Sequence, residues 1–171
     1  MNTWDALRSR RNIRQYTQDP IAPADLDRIL EAGRRSPSAR NRQWWDFVVC
    51  TDRQQLTELA GVWQGAKHIA GAAVAVAVIV EETDDSQTRE TMQYDLGQLT
   101  MSMMVAATDL GIGSAHAAVR DQPLARRILG FPDDRICAWL IGFGYPADRP
   151  LSPIAHPDRR PIDQVVHRGR W

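Results

Sequence analysis

The residues best equipped for chemistry are arginines at the start of the chain. Arg8, Arg10, Arg11 and Arg14 fall within seven positions, and the last two flank Asn12 and Ile13. A guanidinium is planar, permanently charged and carries paired N–H donors that match phosphate oxygens two at a time. A helix end giving way to the extended "IRQY" can turn several guanidiniums to one side. The same residues read equally well as a solvated basic helix terminus. Lys67 lies mid-chain, while Arg159, Arg160, Arg168 and Arg170 lie near the other end. Lys67 and Arg159 or Arg160 can join the same anion. Two basic ends around a more neutral middle suit one small anionic ligand gripped from both ends, or two exposed tails.

A second set of tools lies in "SPSARNRQWWDFVVC", residues 36–50. Ser38, Asn41 and Gln43 place short donors and acceptors beside a helix end that Pro37 enforces. Amide side chains match the donor and acceptor edge of a flat heterocycle, and a hydroxyl suits a polyol. A polar loop with capping serines is the plain alternative. Trp44 and Trp45 then stand side by side where the loop meets a strand.

Other chemistries lack their motifs. There is no glycine-rich dinucleotide fingerprint and no phosphate loop, since Gly111 and Gly113 make only a GxG. There is no Gly-x-Ser-x-Gly elbow. His68, His116, His156 and His167 do not form a metal-binding spacing. His116 follows a glycine-flanked strand and is either a pocket residue or a satisfied structural histidine. Asp84 and Asp85 sit in a polar loop and read as solvated. Cys50 and Cys137 lie in apolar runs, which predicts buried free thiols and no nucleophile.

These residues must be positioned by ordinary globular elements. The 171 residues suffice for one domain with a core. Twenty-one basic residues balance 21 acidic ones, which argues against nucleic-acid binding through bulk charge. The opening "MNTWDALRSRR" lacks the apolar core of a signal peptide, and Ile69–Val80 is too short for a confident membrane span, so a cytoplasmic protein is expected. Periodicity predicts a helix over Thr3–Arg11, then an extended "NIRQYT". A helix from Pro23 carries Leu26, Ile29, Leu30 and Gly33 on one face. "DFVVC" is a strand, and Asp52 caps a helix whose face carries Leu56, Leu59, Ala60 and Trp63. "AAVAVAVIV" (72–80) reads as a central strand. A long helix over about Thr88–Leu110 carries Met92, Leu96, Leu99, Met103, Ala106 and Leu110, a core stripe that could also pack across a subunit interface. "IGSAHAAV" is a short strand. Asp121 caps a helix that Gly130 stops, and "ICAWLIGFGYP" (136–146) is another central strand. Residues 147–171 hold several prolines and little core, and such a terminal arm often crosses to a partner.

Taken together, these segments resemble the FMN-dependent nitroreductase family. "RSRRNIRQYTQDPI" resembles its arginine-rich opening. "DLDRILEAGRRSPSARNRQWWDFVV" resembles a leucine helix, Pro-Ser and Asn-x-Gln-Pro-Trp before a strand. "LTMSMMVAATDLGIGSAH" resembles its central helix ending in Leu-Gly-x-Gly-Ser. "LIGFGYP" and "RRPIDQVVH" with a closing "RW" resemble its late strand and tail. The resemblance covers nearly the whole chain.

The resemblance implies a single α+β domain over 1–171, with a central, mostly antiparallel sheet flanked by helices. It implies a homodimer with two FMN sites at its interface and residues 147–171 exchanged as dimer-wrapping arms. Arg10, Arg11, Asn12 and Arg14 would hold the FMN phosphate and ribityl region. Asn12 stands where the family usually has Ser. Pro37, Ser38, Ala39, Asn41 and Gln43 would come from the partner subunit to the isoalloxazine and ribityl. Lys67 would lie near the flavin pyrimidine edge, Gln64 would join the cofactor site where some members have Asn, and Ser114, Ala115 and His116 would form a strand end beside the ring. Arg159 or Arg160 would complete the phosphate grip.

The implied activity is hydride transfer from NAD(P)H through FMN to a small organic acceptor such as a nitroaromatic or quinone, in ping-pong order. The flavin carries that chemistry, so no catalytic side chain is needed. Neither the acceptor nor NADH over NADPH follows from the sequence. Within the family, flavin fragmentation, dehalogenation or biosynthetic oxidation are alternatives. Non-catalytic flavin binding is another, and a deazaflavin would also suit a basic phosphate pocket. Trp44 departs from the usual Pro and either shapes the substrate cavity or packs against the partner. The chain lacks a long covering insertion, so Glu81–Arg89 is a candidate small lid.

Overall fold

The computed structural model describes all 171 residues. The elements run α1 (Thr3–Ser9), α2 (Pro23–Arg34), β1 (Trp45–Cys50), α3 (Arg53–Leu59), β2 (Val74–Glu81), α4 (Ser86–Asp109), β3 (Gly113–Ala118), α5 (Gln122–Leu129) and β4 (Arg135–Gly144). Short 3₁₀ turns occupy Ala39–Asn41, Ala60–Val62, Gln64–Gly71 and Ile162–Gln164. The four strands form one sheet in the order β1-β2-β4-β3, with every neighbouring pair antiparallel.

β2 explains why both sheet faces are covered. Side chains alternate along a strand, so a strand without polar alternation must be buried on both sides. Val74, Val76, Val78 and Val80 face one core with Leu96, Leu99 and Met103 of α4 and Ile29 of α2. Ala75, Ala77 and Ile79 face a second core with Leu56 and Leu59 of α3, Ala125 of α5, Cys50 and Cys137. Both cysteines are free and buried, and burial pushes the Cys50 thiol up to about 11 and that of Cys137 to about 12. Neither is a nucleophile at neutral pH.

Close approaches fix the flanking elements. A Cβ on Gly33 would lie 2.8 Å from Met103, so the missing side chain lets α2 approach α4. A Cβ on Gly113 would lie 2.7 Å from Ile13, so the N-terminal segment presses against the start of β3. There Ile13 N–H donates to the Ser114 carbonyl at 2.9 Å, and Asn12 bridges Ser114 in parallel fashion. The β3 edge is thereby partly closed.

Several boundaries differ from the sequence expectation. α1 stops at Ser9 and not Arg11, because Arg10 turns extended (ψ 124°) to deliver Asn12 and Ile13 to β3. α3 stops at Leu59, so Trp63 does not continue its face. The Val62 carbonyl instead accepts from the Arg120 and Asp121 amides, and Trp63 is extended. α4 begins at Ser86, because Asp85 caps it by accepting from Thr88 N–H at 2.8 Å. Asp85 is thus exposed but not merely solvated. Capping by Asp52 and Asp121 and the left-handed stop at Gly130 agree with expectation.

The terminal segment divides in two. Its first part docks on its own chain: Ala147 N–H donates to Gln15, Ile154 N–H to Arg8, and Leu151 packs against Ile13, Tyr16 and Ala72. From Ala155 to Trp171 every residue is exposed. Within one chain, the expected arm is therefore anchored as far as Ile154. No helix is long and apolar enough to cross a membrane.

Candidate functional site

A groove of about 560 Å³ opens at the β3 edge. The N-terminal segment supplies Arg14, the 3₁₀ turn after Trp63 supplies Gln64, Lys67 and His68, and the sheet supplies His116 and Trp139. Four residues expected at the site (Arg14, Gln64, Lys67 and His116) therefore share one cavity. Gly65 is required here, since a Cβ would meet the Trp63 ring at 2.1 Å. His116 is exposed and sits edge-on to Trp139, with centroids 5.4 Å apart and an 80° interplanar angle. The same pair borders a smaller hollow beside Gly97 and Met101 of α4.

The groove is electrostatically unbalanced. Arg14 and Lys67 line it and lack a carboxylate partner, as do Arg10, Arg11, Arg159 and Arg160, which lie outside its lining. Arg10 donates to Asn12 Oδ1 at 2.9 Å, and its pKa is lowered by burial and by the neighbouring Arg159 guanidinium. No carboxylate offsets this pair of like charges. Arg159 and Arg160 each donate to a carbonyl of their own tail, that of Asp158 and that of Gln164, and of the two it is Arg159 whose charge acts on Arg10. Arg11 turns to the carbonyls of Ser9 and Ser152, tethering the terminal segment.

His68 was not singled out for this site, yet it lines the groove and is only 8% exposed. Its Nε2 lies 3.1 Å from the Ala115 carbonyl and its buried Nδ1 has no partner. Burial, then Arg14 and His116, hold its pKa below the ordinary value against the favourable hydrogen bond. Burial, Arg10 and Arg14 likewise lower that of His116. Both shifts favour the neutral imidazole. Ser114 is buried with an unpartnered Oγ, and Ala115 contributes its carbonyl to His68. A position three or four residues from Gln64 on one turn was the available signal for His68.

The remaining expected residues lie elsewhere in the same chain. Ala39 lines a separate depression with Arg40, Arg42, Trp44 and the start of α4. Pro37, Ser38, Asn41 and Gln43 belong to the same loop. Arg40, Asn41 and Gln43 all have positive φ (53°, 56° and 49°) without being glycine. Each such residue costs on the order of 1 kcal/mol. Backbone strain concentrated this way marks a segment held in place by its surroundings. Gln43 N–H donates to Ser38 Oγ at 2.9 Å, and the Asp95 carboxylate accepts from Ala39 N–H at 2.9 Å and from the Trp44 indole at 2.7 Å. Asp95 is buried and was missed, although its place three residues after Met92 put it on the core stripe. Residues 81–89 do not line the β3-edge groove; Gln87 and Thr88 border the Trp44 depression instead. Within one chain this segment is not a lid over the groove.

The nitroreductase family model matches residues 7–66 and 59–145. The chain belongs to the nitroreductase family. A relative from Methanothermobacter thermautotrophicus, whose name pairs NADH dehydrogenase with NAD(P)H nitroreductase, is 30% identical over 179 residues, covering all of this chain and 88% of its own. The NADPH:FMN oxidoreductase of Vibrio harveyi, solved in complex with NAD⁺, superposes with a TM-score of 0.85 at 22% identity, over 100% of this chain and 78% of that one. An FMN-dependent nitroreductase of Clostridium difficile R20291 superposes with a TM-score of 0.83 at 22% identity, over 97% and 98%. Both structural likenesses concern the fold.

Proposed function

We propose that this nitroreductase-family chain is an FMN-dependent NAD(P)H oxidoreductase acting as a homodimer with two shared sites. The observation that carries the reading is the β3-edge groove with its unpaired cations. Arg14 and Lys67 in the groove, with Arg10 and Arg159 beyond its lining, suit a phosphate, and His68 Nδ1 in the groove, with Asn12 and the unpartnered Ser114 Oγ beyond it, suits a heterocycle edge and a polyol. These residues fit FMN, and the names of the relatives include FMN and NAD(P)H. Bound flavin would supply hydride transfer from NAD(P)H to a small organic acceptor such as a nitroaromatic or quinone, one substrate leaving before the next enters.

The chain's own residues then bind and orient. The cations would neutralise the phosphate of a bound flavin and would favour its negatively charged reduced form. Neutral His68 offers an acceptor, while Trp139 and His116 wall the cavity mouth. The loop Pro37, Ser38, Ala39, Asn41 and Gln43 lies outside its own groove and would complete the site of a second copy. The exposed residues 155–171, with apolar Ile162, Val165, Val166 and Trp171, would lie across that copy. The reading is tested by following NAD(P)H oxidation with a quinone or nitroaromatic acceptor in the FMN-loaded protein. Turnover with parallel-line kinetics is expected. Bound FMN without turnover would instead favour a specialised or non-catalytic flavin role.

A further inference from the structure

We infer that Asp95 is a positioning residue for the shared site: its buried carboxylate clamps Trp44 to the Ala39 backbone and so fixes the strained 38–43 loop. This rests on the flavin reading of that loop. Asp95 sits mid-way along α4 and is 2% exposed. No cation pairs with it. A carboxylate in such a place is costly unless N–H donors replace its water. Its Oδ2 takes two, from Ala39 at 2.9 Å and Trp44 at 2.7 Å, and Oδ1 lies 3.4 Å from Gln98 Nε2. The first two donors bracket the run in which Arg40, Asn41 and Gln43 are left-handed. The far face of the Trp44 ring carries the Arg42 guanidinium, 4.9 Å from the centroid. The indole is thus fixed at its edge by Asp95 and at its face by Arg42.

Backbone strain of this kind survives only where several contacts dictate it. Removing Oδ2 frees both ends of the strained run at once and lets Arg40 and Gln43 relax to ordinary φ. A proline at position 44 could donate nothing, so the clamp exists because position 44 is tryptophan. Trp44 therefore acts on the loop through Asp95 as well as forming part of the depression wall.

The test is FMN titration of the whole protein, with the Trp44 indole N–H resonance as a flavin-independent readout, assigned by its absence in Trp44→Phe. Asp95→Ala is expected to shift or broaden that resonance and weaken FMN binding about 10-fold or more, while Asp95→Asn, which keeps an acceptor oxygen, stays within about 3-fold of wild type. An unmoved resonance, or a displaced one with unchanged FMN affinity, would overturn the proposal. Should Asp95→Ala fail to fold, Trp44→Phe removes the same hydrogen bond without opening the core, and a wild-type FMN affinity in it would be equally contrary. A wild-type protein that binds no FMN contradicts the flavin reading instead, and the indole resonance of Asp95→Ala then decides the loop clamp by itself.

Discussion

The Arg14 side chain lines the groove without making a hydrogen bond or ion pair inside the chain. Nothing in the chain pairs with its charge, which leaves the exposed guanidinium free for a ligand. Arg14→Ala should weaken FMN binding about 10-fold or more through loss of a charge-assisted contact, with the thermal midpoint unchanged. Unchanged affinity by flavin fluorescence titration would remove Arg14 from the site. His68 makes a separate prediction. Its folded pKa lies below the ordinary 6.5, so the unfolded chain binds more protons as pH falls through that value. Stability present above pH 6.5 is therefore lost below it, and the urea midpoint should fall more between about pH 7.5 and 5.5 in wild type than in His68→Gln. At this scale the sequence was informative about charge and poor about burial. Arg10, Arg14 and Lys67 announce themselves by type. His68 and Asp95 function through desolvation and lone partners, which depend on what packs over them.

Elements were legible where one physical signal dominates. β2 carries an apolar run that only a central strand can bury, and Asp52, Asp121 and Gly130 mark helix ends by side-chain chemistry that acts within three residues. The errors arise where a distant element decides. α1 ends early because the backbone of Asn12 and Ile13 is taken by β3, and α3 ends early because Val62 is claimed by Arg120 and Asp121. No local pattern encodes those partners. Gly113 is the pivot of the first arrangement. Gly113→Val would drive a side chain into Ile13, with an expected destabilisation of about 2 kcal/mol from overpacking and parallel loss of FMN affinity, because the Arg-bearing segment moves off β3. Denaturant unfolding and flavin titration together check this. Loss of stability with full affinity would show that the segment's docking does not organise the groove.

The whole molecule presents two depressions that one chain keeps apart. The cationic groove lies at the β3 edge, and the strained loop faces a different depression beside α4. Trp4, Leu7, Tyr94 and Met101 are left exposed on α1 and α4, and the terminal residues add Ile162, Val165 and Val166. Apolar surface of this extent invites a second copy. Removing residues 155–171 should shift sedimentation toward monomer and lower FMN affinity together, since the halves of each site would separate and Arg159 would be lost with the arm. A truncated chain that remains dimeric with full affinity would confine the arm to a peripheral role. The sequence resemblance implied such an assembly because it spans nearly the whole chain, whereas periodicity alone cannot say which apolar faces meet. The central claim, a flavin site, is tested most directly by the absorption spectrum of the purified protein before and after adding FMN. Bands near ~370 and ~450 nm that stay with the protein through gel filtration are expected. A colourless protein that retains no added FMN would contradict it.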